Sequence, residues 1–363
     1  MGWHSQQYGS FERFLVALAN ASREAGLETH LVFPREPDSR AFVRDVSAAL
    51  HVVPSPTAVR DPGFALALGK LLPSLRPTHL HAHFGLDAYK ALVVAAALRV
   101  PRRFTSKHIV PSSSGASALR HRGLAALVEV IFAVSADVGR RLAALGVPAR
   151  KLKVVPLGVD APAYQADAGA REAARAELGI APDVRLLVST SHLRPGKGVE
   201  LLPRVAAELA VDPGGVCLLV AGDGPLRGEV ETEARRLGLD GEQIRFLGVR
   251  EDVPELLAAA DLFLFPTVAP EGYGLGPLEA LASGLPVVAS AVGDLATSLA
   301  GVAELVPPGD VGALVAACRR LLADPVRAAE LGSAGQTLAT ERFSVQRAAA
   351  EHVAVYSAAR GEA

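Results

Sequence analysis

Apolar runs of strand length recur along this chain with helical segments between them, and that alternation leaves few folds open. The second half reads RLLVSTS, VCLLVAGDG, IRFLG, DLFLFP and LPVVAS. In the first half, THLHAHFG leads into DAYKALVVAAAL, RFTSKH follows, and EVIFAVS leads into ADVGRRLAALG. Strands apolar on both faces must be covered on both, which points to parallel sheets flanked by helices. The expected fold class is therefore α/β, with two doubly wound parallel-sheet domains that bind ligand beyond the carboxyl ends of their strands.

A chain of 363 residues, half of them hydrophobic, is long enough for two cores. Net charge near −1 conceals an asymmetry: residues 1–160 carry 20 Lys+Arg against 11 Asp+Glu, and residues 161–363 carry 17 against 27. The change falls at VVPLGVD (154–160) and the Ala/Gly/Asp-rich segment after it. This predicts one domain over 1–160, a second over 161–343, and a final helix from 344 that packs back on the first. No acidic residue lies between Ala88 and Val128, whereas Lys90, Arg99, Arg102, Arg103, Lys107, Arg120 and Arg122 do. Such a run reads as a solvated face or as a surface for anionic lipid or a phosphate-bearing acceptor. Without interleaved aromatics, and with an acidic second half, it argues against nucleic acid. No signal-peptide pattern or apolar run of spanning length occurs, and Cys217 and Cys318 sit in apolar surroundings. The expectation is a cytoplasmic protein, peripheral on the inner face of the membrane if the basic run is a surface.

The densest local signal is Glu271-Gly-Tyr-Gly-Leu-Gly-Pro-Leu-Glu279, between the strand-like DLFLFP (261–266) and the helical LEALASG (278–284). A strand, a glycine turn and a helix start present unpartnered backbone N–H groups, and the helix dipole favours an anion there. Carboxylates on the turn and one helical turn inside are placed to accept hydrogen bonds from sugar hydroxyls. The same spacing also fits a solvated loop glutamate and a helix-surface glutamate. In RLLVSTSHLRPGKGVELL the strand gives way to His192, Arg194 and Gly196-Lys197-Gly198. Lys197 is one of six lysines and the only one after residue 153, so it is either a point-charge phosphate contact or a solvated loop residue. VAGDGPLRGEV (220–230) is a weaker turn signal. His79, His81 and His83 alternate along one strand and share a face, a pattern of packing rather than of metal ligation. His108 closes RFTSKH and is the better cleft candidate.

Together these residues resemble glycosyltransferase family 4, the retaining nucleotide-sugar transferases built from two facing Rossmann-like domains (GT-B). The resemblance covers nearly the whole chain and is most specific from VCLLVAGDGP through IRFLGVREDVPELLAAADLFLFPTVAPEGYGLGPLEALASGLPVVAS to LVPPGD. It implies that Glu271 contacts the donor sugar's hydroxyls and Glu279 the ribose. The amides of Gly272, Tyr273, Gly274 and Leu275 would hold the diphosphate with Lys197, and His108 would lie near the transferred sugar. Val249 and Arg250 would face the base, and Gly9 with Ser10 would form the first glycine turn. HAHFG looks like transferases of exopolysaccharide assembly. The implied reaction moves a hexose-type sugar to a hydroxyl of a glycan or lipid-linked acceptor, without a protein nucleophile and with no metal expected, since Lys197 and helix-terminal amides neutralise the departing phosphate.

Three departures qualify the resemblance. His192 stands where the family usually has arginine, with Arg194 the candidate replacement. Asp294-Leu-Ala-Thr297 follows VASAVG where glycine and Pro-Glu are usual. MGWHSQQY is too short and too polar to be the strand that should precede Gly9, so either the true start lies upstream, the favoured reading, or the first domain lacks its first strand. Losing a central strand leaves two neighbours unpaired beside a gap in the core. A non-catalytic homologue that binds nucleotide sugars and a sugar-nucleotide epimerase on the same fold are the alternatives.

Overall fold

The computed structural model describes residues 10–33, 40–54, 62–83, 85–108, 111, 114–166, 169–212 and 214–358. The chain forms two compact units, Met1–Leu157 with Val345–Ala363, and Gly158–Ser344.

The second unit is one parallel sheet. Its strands are β7 (Arg185–Thr190), β8 (Val216–Ala221), β9 (Ile244–Gly248), β10 (Leu262–Phe265), β11 (Val287–Ser290) and β12 (Glu304–Val306). Their order in the sheet is β12-β11-β10-β7-β8-β9. Successive residues alternate between two cores: Leu186, Val188, Phe263 and Phe265 on one face, Leu187, Leu262 and Leu264 on the other. That is the pleat of a strand buried on both sides, and it explains why these runs carry no polar alternation. Asp261, the polar residue at the head of β10, accepts from the Leu186 amide (2.7 Å) and pairs with Arg171 (2.5 Å). The sheet winds from β7 to β9 in one direction and from β10 to β12 in the other, so the direction reverses between the paired neighbours β7 and β10.

The first unit is also built from parallel strands, but in two pieces. Among the described residues, β1 (His30–Phe33) pairs with β2 (Ala49–Val52), and β3 (His79–His83), β4 (Arg102–Lys107), β5 (Val130–Ala133) and β6 (Leu152–Val154) form a second sheet in that order. Among the described residues, no strand precedes the first helix, Ser10–Glu24. That helix packs against the last one, Val345–Ser357, over Phe14, Val345, Ala349 and Val353. No described helix is long and apolar enough to cross a membrane.

Part of the basic run of this unit is engaged by the fold itself. Arg102 holds Glu129 (2.5 Å) and the carbonyl oxygens of Val355 and Ala358, Arg103 donates to the carbonyls of Leu127 and Val100, and Arg122 to that of Leu145. These three arginines brace turns and the last helix, while Arg99, Arg120 and Arg122 are exposed. Both cysteines are free and buried, and burial pushes the Cys318 thiol up to about 12.

Candidate functional site

The point where a doubly wound sheet reverses direction opens a crevice at the strand carboxyl ends. In the second unit, the segments leaving β7 and β10 meet there. Gly196 binds them together: its carbonyl accepts from the Thr267 hydroxyl (2.9 Å) and from the amides of Val268 (3.0 Å) and Ala269 (2.9 Å). At Gly198, φ is +67° and a Cβ would lie 1.9 Å from the Pro266 carbonyl oxygen, so only glycine lets the two loops close this far.

That stitching sets Lys197 beside Glu271. The ammonium donates to Glu271 Oε1 at 2.5 Å, with both side chains largely buried, and lies 5.7 Å from the centre of the Phe265 ring. Glu271 is fixed from behind by Gly293, whose φ is +52° and whose Cβ position lies 2.4 Å from the Glu271 carbonyl. The Asp294 amide donates to that carbonyl. The segment in which the sequence departs from the family pattern thus bears on Glu271 through its backbone.

Beyond Glu271 the chain turns through Gly272 and Tyr273, the latter packed on Phe343, to Gly274, where φ is +65°. The helix Leu275–Ala282 starts there with no side-chain cap. Its first amides are therefore left for whatever occupies the crevice. Glu279, one turn in, is buried, and its Oε1 accepts from the Tyr164 hydroxyl at 2.7 Å. Sequence reading had no route to Tyr164: it sits in a short APAY turn 115 residues upstream, and its only signal is a lone aromatic after the VVPLGVD segment.

His192 and Arg194 are exposed on the loop after β7, and neither reaches Lys197 or Glu271 through a side-chain hydrogen bond. Val249 is exposed after β9, while Arg250 is engaged with Asp252 (2.7 Å). His108 belongs to the first unit, at the end of β4. There its Nε2 lies 3.1 Å from His83 Nδ1 and its ring meets Phe11 edge-on. Burial drives its pKa well below the usual histidine range, with the neighbouring His83 and His352 adding to the effect, so it is a neutral imidazole. His79, His81 and His83 do share one face: His81 stacks on His83 at 4.1 Å and hydrogen-bonds Ser106 (2.8 Å) and the Tyr356 hydroxyl. Among the described residues no group of three or more His, Cys, Asp or Glu could hold a metal ion. Gly9 lies outside the described residues; Ser10 begins the first helix.

Residues 11–161 match the family profile described as Glycosyltransferase Family 4, and residues 184–324 the one described as Glycosyl transferases group 1. The lipopolysaccharide core biosynthesis mannosyltransferase LpsB of Rhizobium meliloti is 30% identical over 78% of this chain and 80% of its own. The chain belongs to glycosyltransferase family 4. A second member, the GDP-mannose-dependent alpha-(1-6)-phosphatidylinositol monomannoside mannosyltransferase of Mycolicibacterium smegmatis, is 33% identical over 72% of each chain. In fold, this glycosyltransferase is similar to Anabaena Alr3699/HepE, solved in complex with UDP and glucose, with a TM-score of 0.83, 24% identity and 98% of each chain covered. The family-4 fold, of the GT-B type, accounts for the two Rossmann-like units.

Proposed function

We propose that this glycosyltransferase moves a hexose-type sugar from a nucleoside diphosphate sugar to a hydroxyl of a glycan or lipid-linked acceptor, with retention of configuration, in exopolysaccharide or cell-envelope glycan synthesis. The observation that carries the reading is the Lys197–Glu271 ion pair in front of an uncapped helix start, at the reversal point of the sheet. Without ligand, the two charges satisfy each other. A donor brings an anion and hydroxyl groups, so it can exchange both partners at once: the ammonium turns to the diphosphate and the carboxylate accepts from the sugar hydroxyls. Glu279, held by Tyr164, is offered to the ribose. As the glycosidic bond breaks, negative charge grows on the departing diphosphate, where Lys197, the amides of Gly272 to Leu275 and the helix dipole already point. A diphosphate oxygen takes the acceptor's proton on the same face, which leaves no step for a protein nucleophile.

Those groups supply the positive charge the leaving group needs, so the reading includes no resident metal, and turnover should survive exhaustive chelation. Arg194 is the cation offered in place of the arginine that His192 displaces. His108 and the Val249–Arg250 loop are assigned to the sugar and the base by the family pattern. GDP-mannose is the first donor to test, because one relative is named for it, and UDP-glucose the second. Association with an anionic membrane surface rests on Arg99, Arg120 and Arg122, the exposed members of the basic run. Calorimetric titration with GDP-, UDP- and ADP-sugars, followed by transfer assays with anomeric analysis of the product, tests the whole reading. Donor binding and an α-linked product from an α-linked donor are expected. Donor binding without any transfer would instead make the chain a nucleotide-sugar-binding homologue, and inversion would remove the proposed route.

A further inference from the structure

Successive side chains of β4 face opposite ways. Phe104 and Ser106 meet the histidine side, where Phe104 joins the core around Phe14 and Ser106 hydrogen-bonds His81 (2.8 Å). Thr105 and Lys107 take the other side, within electrostatic reach of Arg120 and His121 on the helix Gly115–Leu127. That helix buries one stripe, Ser117, His121, Leu124 and Ala125. Leu124 and Ala125 enter an apolar core with Leu92, Ile131 and Val138. Ser117 and His121 continue the stripe toward the start of the helix, which follows β4 and so begins near its carboxyl end.

Lys107 is largely buried, yet among the described residues its ammonium makes no side-chain hydrogen bond or ion pair. Lys151, by contrast, donates to the carbonyls of Ala125 (2.6 Å) and Val128 (2.7 Å), and Lys197 to Glu271. An ammonium withdrawn from water beside a like charge and without an acceptor carries a desolvation cost that nothing offsets. Burial, with Arg120 adding to it, brings the pKa of Lys107 down to about 8, which leaves it charged at neutral pH. His121 supplies an acceptor of fixed direction. Its Nδ1 lies 2.7 Å from the Ser117 carbonyl, which can only accept, so Nδ1 carries the proton and Nε2 the lone pair. Burial lowers the pKa of this ring; the Ser117 carbonyl opposes the shift, and Lys107 and Arg120 add to it.

We propose that Lys107, Arg120 and His121 form an anion subsite in the first unit, which holds the acceptor by a phosphate or carboxylate flanked by a hydroxyl. Lys107 meets the anion at depth and Arg120 from the solvent side, while His121 Nε2 accepts from the hydroxyl. A cation would be repelled there, and a neutral glycan would leave the ammonium unmet. That the occupant is the acceptor rests on the transferase reading; that the site takes an anion does not.

The test follows the His121 ring by NMR in the full chain as inorganic phosphate, or in a parallel series acetate, replaces chloride at constant ionic strength. The bound anion should raise the pKa of His121 by about half a unit or more, because a negative neighbour favours the charged imidazole. Lys107→Met should weaken that response at least tenfold. With no anion added, the same substitution should raise Tm by about 2 °C or more, since an unmet ammonium leaves the interior. A response to phosphate alone assigns a phosphate-bearing acceptor, and a response to acetate alone an acidic sugar. No response to either, an equal response in Lys107→Met, or a lower Tm for that variant overturns the proposal. Donor titration of both proteins reads the second unit separately: unchanged donor affinity is expected in Lys107→Met, and a wild-type chain that binds no donor would sink the transferase reading while leaving the anion site standing.

Discussion

The two units are variations on one sheet, and they differ at its centre. In the second unit the central neighbours β7 and β10 pair directly, and the glycine loops leaving them lock Lys197 against Glu271. In the first, among the described residues, β1 and β3 lie on either side of a cavity lined by apolar side chains and by His79, His81 and His83. A filled centre turns loop residues into a rigid site, because each loop inherits its position from a strand buried on both faces. In the first unit the described side chains at the corresponding place border a cavity rather than a packed strand.

Equal deletions at the two centres give the largest expected contrast. Leu264 is fully buried in β10, and Leu264→Ala should cost about 3–5 kcal/mol, since the surrounding sheet cannot collapse onto the space. Leu80 in β3 already borders the cavity, so Leu80→Ala adds little new void and should cost about 1 kcal/mol. Chemical denaturation of the two variants measures this directly. Equal costs would mean that the first unit is as tightly packed as the second.

Acid should separate the units next. Burial lowers His83 to about 3 and His352 to about 4, with like-charge neighbours adding to the first; His81 and His108 are lowered for the same leading reason. A histidine whose folded pKa is depressed binds its proton more readily when unfolded. Its contribution is intact above the unfolded value near 6.5 and is lost as pH falls from there toward 4 and 3. For His352 alone the loss by pH 4 is on the order of 3 kcal/mol. Exchange protection of β3 and β4 should therefore fall between pH 6.5 and 4 while that of β7 and β10 holds. His352→Gln should flatten the dependence, and parallel loss in both units would refute the assignment.

The chemistry of the second unit comes third. Lys197→Ala removes one contact that strengthens as the diphosphate departs, and turnover at saturating donor should fall at least about tenfold, or ~1.4 kcal/mol. Stability should also fall, by about 1–3 kcal/mol, because the largely buried Glu271 carboxylate loses its ion-pair partner. Near-normal turnover would remove Lys197 from the mechanism and leave only its pairing with Glu271.

These contrasts also mark how far the sequence alone could be read. The run from Asp261 to Gly284 was legible because strand, turn and helix follow each other without interruption, and local chemistry decides each. Lys197 stood out by its rarity and its two glycines. The partners of these residues were not legible: Tyr164 reaches Glu279, and Gly293 touches Glu271, only because separate strands bring them together. Charge counting could not show what Arg102 and Arg103 bind, since their carbonyl acceptors lie 24 to 256 residues away or in a neighbouring turn.

The smallest effect tests whether the second unit's rigidity reaches its ligand. Tyr164→Phe keeps the ring in the core and deletes only the hydroxyl that donates to Glu279. A buried carboxylate that loses a hydrogen bond is left less satisfied, and the expected cost is about 1 kcal/mol of stability. If the hydroxyl also aims the carboxylate at the ribose, donor KM should rise about three- to fivefold with turnover unchanged, the pattern of a contact shared by ground and transition states. Glu279→Gln with Tyr164 intact should raise donor KM more, because an amide replaces one of the two accepting oxygens. A Tyr164→Phe enzyme that loses stability but keeps its KM would confine the hydroxyl to the core, and the order seen in the second unit would then stop short of the nucleotide.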